Sequence, residues 1–159
     1  MVTIGKKSVR AGKFVDSDHV DTVVRNYKQH RWAQNSERLG KADSLSVWFS
    51  VEDIEAFLEK AKEHGGDGVR FYFGAYDEQF EEQPLYAGRQ TIVMVATKNK
   101  ETLKGSVDKN IYINTEKGSS ILAFNVGRIC PPMCTDDGPG GGDIGITIIE
   151  QKEGGMIVA

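Results

Sequence analysis

The chain has 159 residues, of which 39% are hydrophobic and 27% are charged, a composition typical of a globular protein with one domain. The net charge of −3 gives no electrostatic reason to expect nucleic acid, and no run of the sequence approaches the roughly 20 apolar residues of a membrane span. The start of the chain lacks the apolar stretch of a signal peptide, so we expect a cytoplasmic protein without a nucleic-acid or membrane partner.

Two helical patterns lie in the first part of the chain. Ser17 is predicted to cap the first helix, and Gly40 to end the region that follows it. Ser50 is predicted to cap a second helix that extends to about His64, with an apolar stripe formed by Val51, Ile54, Phe57, Leu58 and Ala61. Large indole rings favour burial, so Trp32 and Trp48 are predicted to lie in or near the core.

Two strong strand patterns follow the second helix. Residues 68–76 alternate, and we expect the face with Val69, Phe71 and Phe73 to pack on the preceding helix. Residues 90–97 form a second apolar strand, predicted to pair antiparallel with the first across the acidic loop at 77–83. Residues 98–102 are interpreted as a turn or loop, and weaker strands are predicted at 111–113, 121–126 and 145–150.

This order predicts an α+β fold in which N-terminal helices pack on a mostly antiparallel sheet. We expect a single domain over residues 1–159, with flexible segments at 1–14 and 136–142. The residues after Asp143 are too apolar to remain in water, which predicts that they pair with a sheet edge in the same or a neighbouring subunit. A homo-oligomer formed through this C-terminal segment is the simplest partner arrangement.

Both cysteines lie in an irregular segment rich in proline and glycine. Extended geometry at Pro131 and Pro132 separates Cys130 from Cys134 by roughly 9 Å, so a disulfide requires a sharp turn at Met133 or a cis proline. Reduced structural thiols, a local or transient disulfide, and a metal site all remain open. A metal is the weakest signal, because zinc prefers four ligands and no second cysteine pair exists.

Two of these motifs resemble a known family. The strand GVRFYFG at 68–74 and the motif Cys-Pro-Pro-x-Cys at 130–134 are similar to those of small uncharacterised hypothetical proteins common in Bacteroidetes. The resemblance covers roughly residues 47–135 and includes the Ser-capped helix and the apolar strand. It implies no biochemical activity, no cofactor and no catalytic residue.

One face of the first strand is a candidate binding platform. Arg70, Tyr72 and Tyr76 share this face, and Gly74 leaves a gap between the tyrosines that suits an anion or the backbone of a partner. An ordinary amphipathic sheet face is the alternative interpretation. We find no local constellation of acid, base and nucleophile, which favours a non-enzymatic binding or structural module. The alternative function is a thiol-dependent redox or metal-binding protein that uses Cys130 and Cys134.

Overall fold

The structure is a computed structural model that describes residues 10–134 and two strands near the C-terminus. In chain order, the elements are α1 (Ser17–Tyr27), a π-helical segment (Lys28–Trp32), α2 (Ala33–Leu39), β1 (Ser46–Trp48), α3 (Val51–Glu63), β2 (Gly68–Ala75), a 3-10 turn (Pro84–Tyr86), β3 (Gln90–Thr102), β4 (Gly105–Asn110), β5 (Tyr112–Thr115), β6 (Gly118–Ile121), β7 (Ala123–Phe124), β8 (Arg128–Cys130), β9 (Ile148–Glu150) and β10 (Met156–Val158). Helices lead into antiparallel sheets, so the predicted α+β class is confirmed.

The described residues form two compact units, each assembled from separate stretches of the chain. The first contains Trp48–Gly74 and Thr91–Gly127, and the second contains Gly12–Val47, Ala75–Gln90 and the described residues from Arg128 onwards. The single domain predicted for residues 1–159 stays a prediction. Of the segments predicted to be flexible, residues 10–14 are exposed, whereas residues 1–9 and 136–142 lie outside the described part of the chain.

The N-terminal helical region belongs to the second unit. The carboxylate of Asp16 accepts a hydrogen bond from the backbone N–H of His19 at 2.9 Å, so Asp16 rather than the predicted Ser17 caps α1. Either side chain has an acceptor oxygen, and the sequence alone does not distinguish adjacent candidates. The helix continues through the π-helical segment into α2 and ends at Gly40, which has a φ of +75° as the stop signal predicts.

Helix α3 belongs to the first unit and follows its predicted apolar stripe only in part, because Val51 and Leu58 of that stripe are exposed. The hydroxyl of Ser50 accepts a hydrogen bond from the N–H of Asp53 at 3.0 Å, which confirms the predicted N-cap. Phe57 and Ala61, from the predicted apolar stripe, are buried. They pack with Met94, Ala96 and Leu122 to form the core of this unit.

The main sheet of the first unit has the order β2-β3-β4, and β7 also pairs with β3. Strands β2 and β3 run antiparallel, because Gly68 lies beside Thr97 at one end and Gly74 lies beside Thr91 at the other. The predicted pairing of these two strands is therefore confirmed. Among the described strands, β3 is the only neighbour of β2, which makes β2 an edge strand.

Strand β3 is longer than the sequence predicts. Residues 98–102, interpreted above as a turn or loop, pair antiparallel with β4, from Lys98 opposite Lys109 to Thr102 opposite Gly105. The chain reverses at Leu103 and Lys104, where the Thr102 hydroxyl donates a hydrogen bond to the Gly105 carbonyl at 2.7 Å. Most side chains of this extension are exposed, so its residues do not alternate between apolar and polar.

The second unit has its own core of Tyr76, Tyr86 and Ile129. The Tyr76 ring stacks on Phe80 with 4.6 Å between ring centroids. Trp32 is also fully buried in the chain, as predicted, and its indole N–H donates to the carbonyl of Asp43 at 2.8 Å. Trp48 is about half exposed, so its predicted burial is wrong. The amphipathic indole tolerates either environment.

The C-terminal strands differ from the prediction. Strand β9 pairs antiparallel with β10, with Ile149 opposite Ile157, and these two strands form a separate sheet. Within the described residues, this segment pairs with itself, and its predicted pairing with the sheet edge of a neighbouring subunit stays a prediction. The apolar pattern of the residues after Asp143 correctly predicted that they form paired strands. It did not predict that β9 and β10 pair with each other.

Candidate functional site

Of the predicted platform residues Arg70, Tyr72 and Tyr76, the structure brings only the first two together, and their role in binding stays a prediction. Arg70 and Tyr72 lie together on β2, with the Arg70 guanidinium carbon 6.0 Å from the centroid of the Tyr72 ring. Tyr76 is instead buried in the core of the second unit, where Phe80 and Tyr86 surround its ring. Alternation along a strand gives the direction of a side chain but not the element that covers it. Tyr76 is therefore excluded from the site.

Asn110 of β4 holds the two remaining platform residues. The Arg70 Nη1 donates to Asn110 Oδ1 at 2.7 Å, and the Arg70 Nη2 donates to the carbonyl of Asp108 at 2.9 Å. The Asn110 amide nitrogen donates to the hydroxyl oxygen of Tyr72 at 3.0 Å. One asparagine thus fixes both side chains. No sequence pattern predicts β4, so only the structure reveals that Asn110 belongs to this site.

These hydrogen bonds affect the acidity of the tyrosine. Donation from the Asn110 amide, followed by interaction with Arg70, lowers the pKa of Tyr72 below its ordinary value, because both stabilise the phenolate. The Tyr72 hydroxyl accepts from Asn110, which leaves its own proton for donation to solvent or a ligand. The polar face of β2 is therefore ordered and exposed.

The opposite face of β2 carries two exposed phenylalanines. The solvent-exposed fraction is 58% for Phe71 and 81% for Phe73. The sequence predicts that both pack on α3 together with Val69, but only Val69 packs against the α3 core. Helix α3 contacts the sheet through Phe57 and Ala61 and does not cover the rest of the strand. The alternation of side chains along β2 does not show how many of its residues helix α3 covers.

Among the described strands, one side of β2 therefore has no neighbouring strand, and both faces of β2 carry exposed side chains. We call the half-buried Arg70 and the exposed Phe71, Tyr72 and Phe73 the β2 surface. An edge strand presents unpaired backbone N–H and C=O groups, and native proteins usually protect such edges with charges, proline or a covering element. Arg70 is the only charged residue of β2, and the strand contains no proline. This surface can accept an extended partner by backbone pairing, with aromatic side chains adding apolar area.

The two cysteines form a disulfide with their Cα atoms 4.8 Å apart. The peptide bonds before Pro131 and Pro132 are both cis. A cis proline is one of the two features that the sequence requires for a disulfide here, the other being a sharp turn at Met133. The sequence left open reduced thiols, a disulfide or a metal site, and the structure contains the disulfide. Among the described residues, no group of three or more histidine, cysteine or carboxylate side chains is placed to hold a metal ion.

The disulfide closes a turn at the end of β8. The N–H of Met133 donates to the carbonyl of Ile129 at 2.9 Å, and Ile129 is fully buried in the second core. Cys134 is exposed, so a reductant can reach one side of the bond. Structural disulfides are typical of oxidising compartments. This bond therefore does not favour the predicted cytoplasmic location, which stays a prediction.

A buried polar network in the second unit was not predicted. One carboxylate oxygen of Asp43 accepts from the N–H groups of Ser44 at 2.8 Å and Gln90 at 2.7 Å, while the Asp43 N–H donates to Ser36 Oγ at 2.9 Å. The Tyr27 hydroxyl donates to the Gln90 side chain. Only the fold brings these residues together, because they lie as far as 63 positions apart along the chain.

Two cations are also buried in this unit. The Arg89 guanidinium donates to the carbonyl of Ala42, and burial lowers the pKa of Arg89. Lys28 is fully buried in the chain, and burial followed by repulsion from Arg25 lowers its pKa to about 8. The hydrogen bonds of this region join the helices, the loop at residues 42–44 and the start of β3, which indicates a structural role.

Comparisons of the chain with protein-family models, curated proteins and solved structures gave no match. The family resemblance given by the two sequence motifs stays a prediction. Within the described residues, the helices are too short or too polar to cross a membrane.

Proposed function

We propose that the chain is a non-enzymatic binding module whose recognition surface is the β2 surface. One observation carries this proposal: Phe71 and Phe73 are exposed side by side on the same face of an edge strand. Adjacent exposed aromatics on a folded protein mark interaction sites more often than isolated apolar residues do. The side of β2 that has no neighbour among the described strands supplies backbone groups for a partner strand.

The exposed rings offer enough area to matter for binding. Taking about 200 Å² for each ring, the exposed fractions of 58% and 81% correspond to roughly 280 Å² of apolar surface. Burying this area supplies on the order of 7 kcal/mol before the entropic and desolvation costs of association are subtracted. The backbone hydrogen bonds of an added strand contribute further, so β2 suits a partner that binds as an extended segment.

The polar face supports specificity rather than bulk affinity. Arg70 and Tyr72 are held in place by Asn110, so binding requires little additional ordering of either side chain. A partner with an acceptor near the Tyr72 hydroxyl or the Arg70 guanidinium is favoured over an entirely apolar strand.

The binding function can be tested with fluorescein-labelled octapeptides in which aromatic and polar residues alternate, measured by fluorescence anisotropy at low protein concentration. We expect the folded chain to bind such peptides and the double variant Phe71→Ser/Phe73→Ser to bind at least tenfold more weakly. Leu103→Ser is the matched control, since Leu103 is exposed at the turn between β3 and β4. Peptides with the same composition but clustered aromatics should bind weakly. Equal binding by the double variant would refute a role for β2.

A second candidate function rests on the disulfide. The exposure of Cys134 gives a small thiol reductant access to the bond, as a thiol-dependent redox protein requires. Alkylation counted by mass spectrometry across a series of glutathione potentials tests this function. Reversible conversion within the physiological range of potentials supports it, and a pair that stays oxidised throughout that range excludes it.

A further inference from the structure

We propose that the partner of the β2 surface is a second copy of this chain, paired antiparallel along β2 about a twofold axis through Tyr72. This inference rests on the proposed binding function and names its partner. A twofold interface is isologous, so one strand must be complementary to itself. Three features of β2 meet this requirement.

The first feature is the position of the aromatic residues. In an antiparallel pair centred on Tyr72, Phe71 of each copy lies directly opposite Phe73 of the other. The dimer therefore contains two cross-strand phenylalanine pairs on one face, and directly opposed aromatic residues stabilise antiparallel sheets. Both rings are exposed in the single chain and available for this contact.

The second feature is the charge of the strand, which selects the register. Arg70 is the only charged residue of β2. In pairing centred on Tyr72, the two arginines lie four positions apart along the strands, or about 14 Å, which exceeds the screening length of about 8 Å at physiological salt. Centring the pair on Phe71 would reduce this offset to about 7 Å and increase the repulsion.

The third feature is Gly74, which its contacts with the described residues do not explain. A Cβ added at Gly68 would lie 2.7 Å from the Thr97 hydroxyl, so glycine is needed there. A Cβ added at Gly74 would lie 3.8 Å from the nearest Thr91 atom, which is an ordinary contact. A glycine inside a strand is destabilising relative to alanine and often marks the close approach of another group. In the proposed register, the backbone of Arg70 of the second copy lies opposite Gly74, while the guanidinium of that arginine is bonded to Asn110 and Asp108 of its own chain.

Charge substitutions at Gly74 test this register by sedimentation equilibrium of the full chain. We expect a wild-type dimer, Gly74→Glu to associate more tightly through attraction to the facing Arg70, and Gly74→Lys to associate more weakly. The dissociation constants of the two variants should differ by about two- to threefold, because the guanidinium of the facing Arg70 is bonded to Asn110 on the far side of β3 and the charges interact only at long range. Equal melting temperatures at monomer-level concentration would show that both variants fold. Equal dissociation constants for the two folded variants would refute the register.

Cross-linking provides an independent test. Tyr72→Cys places two thiols on the axis, at the Cα separation of about 4.5–5.5 Å typical of directly opposed residues, within the range of a disulfide. Arg70→Cys is the matched control, with its two thiols about 14 Å apart along the strands. The native cysteines are already bonded to each other, so the new thiol is the free one. Mild oxidation should link Tyr72→Cys and leave Arg70→Cys unlinked; equal linking of both refutes the axis.

The two proposals fail in different ways. A chain that is monomeric up to millimolar concentration but binds the labelled octapeptides through Phe71 and Phe73 refutes the homodimer and leaves the binding function in place. A chain that neither dimerises nor binds the octapeptides refutes both. A dimer that survives Phe71→Ser/Phe73→Ser uses another surface and also overturns this inference.

Discussion

Arg70 and Asn110 lie 40 positions apart along the chain and meet through a hydrogen bond of 2.7 Å between guanidinium and amide oxygen. This bond connects β2 to β4, which are separated in the sheet by β3. The same amide group donates to Tyr72, so Asn110 sets the polar face of β2. Removal of the Asn110 side chain should therefore abolish both the ordering of Arg70 and Tyr72 and the effect of Asn110 on the pKa of Tyr72.

We predict that Asn110→Ala raises the pKa of Tyr72 toward the ordinary tyrosine value. The Asn110 hydrogen bond is the largest cause of the lowered pKa, because it stabilises the phenolate. Because the pKa of Tyr72 is lower in the folded chain than in the unfolded chain, the free energy of unfolding should rise as the pH increases through the titration of Tyr72. At lower pH, where the tyrosine is protonated in both states, this contribution is absent. Difference absorbance titration against Tyr72→Phe isolates this residue. An unchanged Tyr72 curve in the Asn110 variant would contradict the prediction.

The exposure of Phe71 predicts a small effect of its truncation on stability. Phe71→Ala should lower the free energy of unfolding by less than about 1 kcal/mol, whereas Phe57→Ala, which empties a site 4% exposed, should lower it by about 3–5 kcal/mol. Urea denaturation at low protein concentration measures both without a contribution from association. Similar losses for the two variants would mean that Phe71 is buried.

Asp43→Ala should destabilise the second unit strongly. The substitution removes the acceptor of two buried backbone N–H groups, those of Ser44 and Gln90. Unsatisfied buried donors cost about 1–3 kcal/mol each, so we expect a loss of about 2–5 kcal/mol. Asp43→Asn keeps one acceptor oxygen and should lose less. Thermal or urea unfolding compares the two variants, and an equal loss for both would assign the effect to charge rather than to the hydrogen bonds.

Lys28 should make stability depend on alkaline pH. Its pKa is lowered from 10.5 to about 8, so between these values the unfolded chain binds more protons than the folded chain. The free energy of unfolding should therefore rise with pH across this window, relative to Lys28→Met, which keeps an apolar stem of similar length. Urea midpoints at several pH values test the difference. Parallel pH profiles for the two proteins would show that Lys28 does not titrate differently on folding.

Reduction of the disulfide should lower stability modestly. The bond joins cysteines four positions apart, and closing a loop this short restricts the unfolded chain by only about 2 kcal/mol. The variant Cys130→Ser/Cys134→Ser should lose a similar amount without unfolding. Urea denaturation of the oxidised protein, the reduced protein and the variant provides the measurement. A loss above about 5 kcal/mol would mean that the bond also holds packing in the folded state.

Local patterns in the sequence predicted the elements that depend on local chemistry. Ser50 caps α3 because its hydroxyl reaches an N–H three residues away, and Gly40 ends α2 because it adopts a positive φ. The antiparallel pairing of β2 and β3 followed from two apolar strands joined by a polar loop. The hairpin extension of β3 and β4 was missed because exposed strands need no apolar alternation.

The candidate site was decided by tertiary structure. Phe71 and Phe73 alternate with polar residues and lie on the same face of β2 as Val69, which is the pattern of buried residues. Of these three residues, however, only Val69 packs against the core that α3 forms. Asn110 becomes part of the polar face of β2 only when β4 joins the sheet. The sequence by itself therefore determined the helices, the main strands and the residues that face each side. Only the tertiary structure decided which of those sides is covered, because burial depends on elements that are distant along the chain.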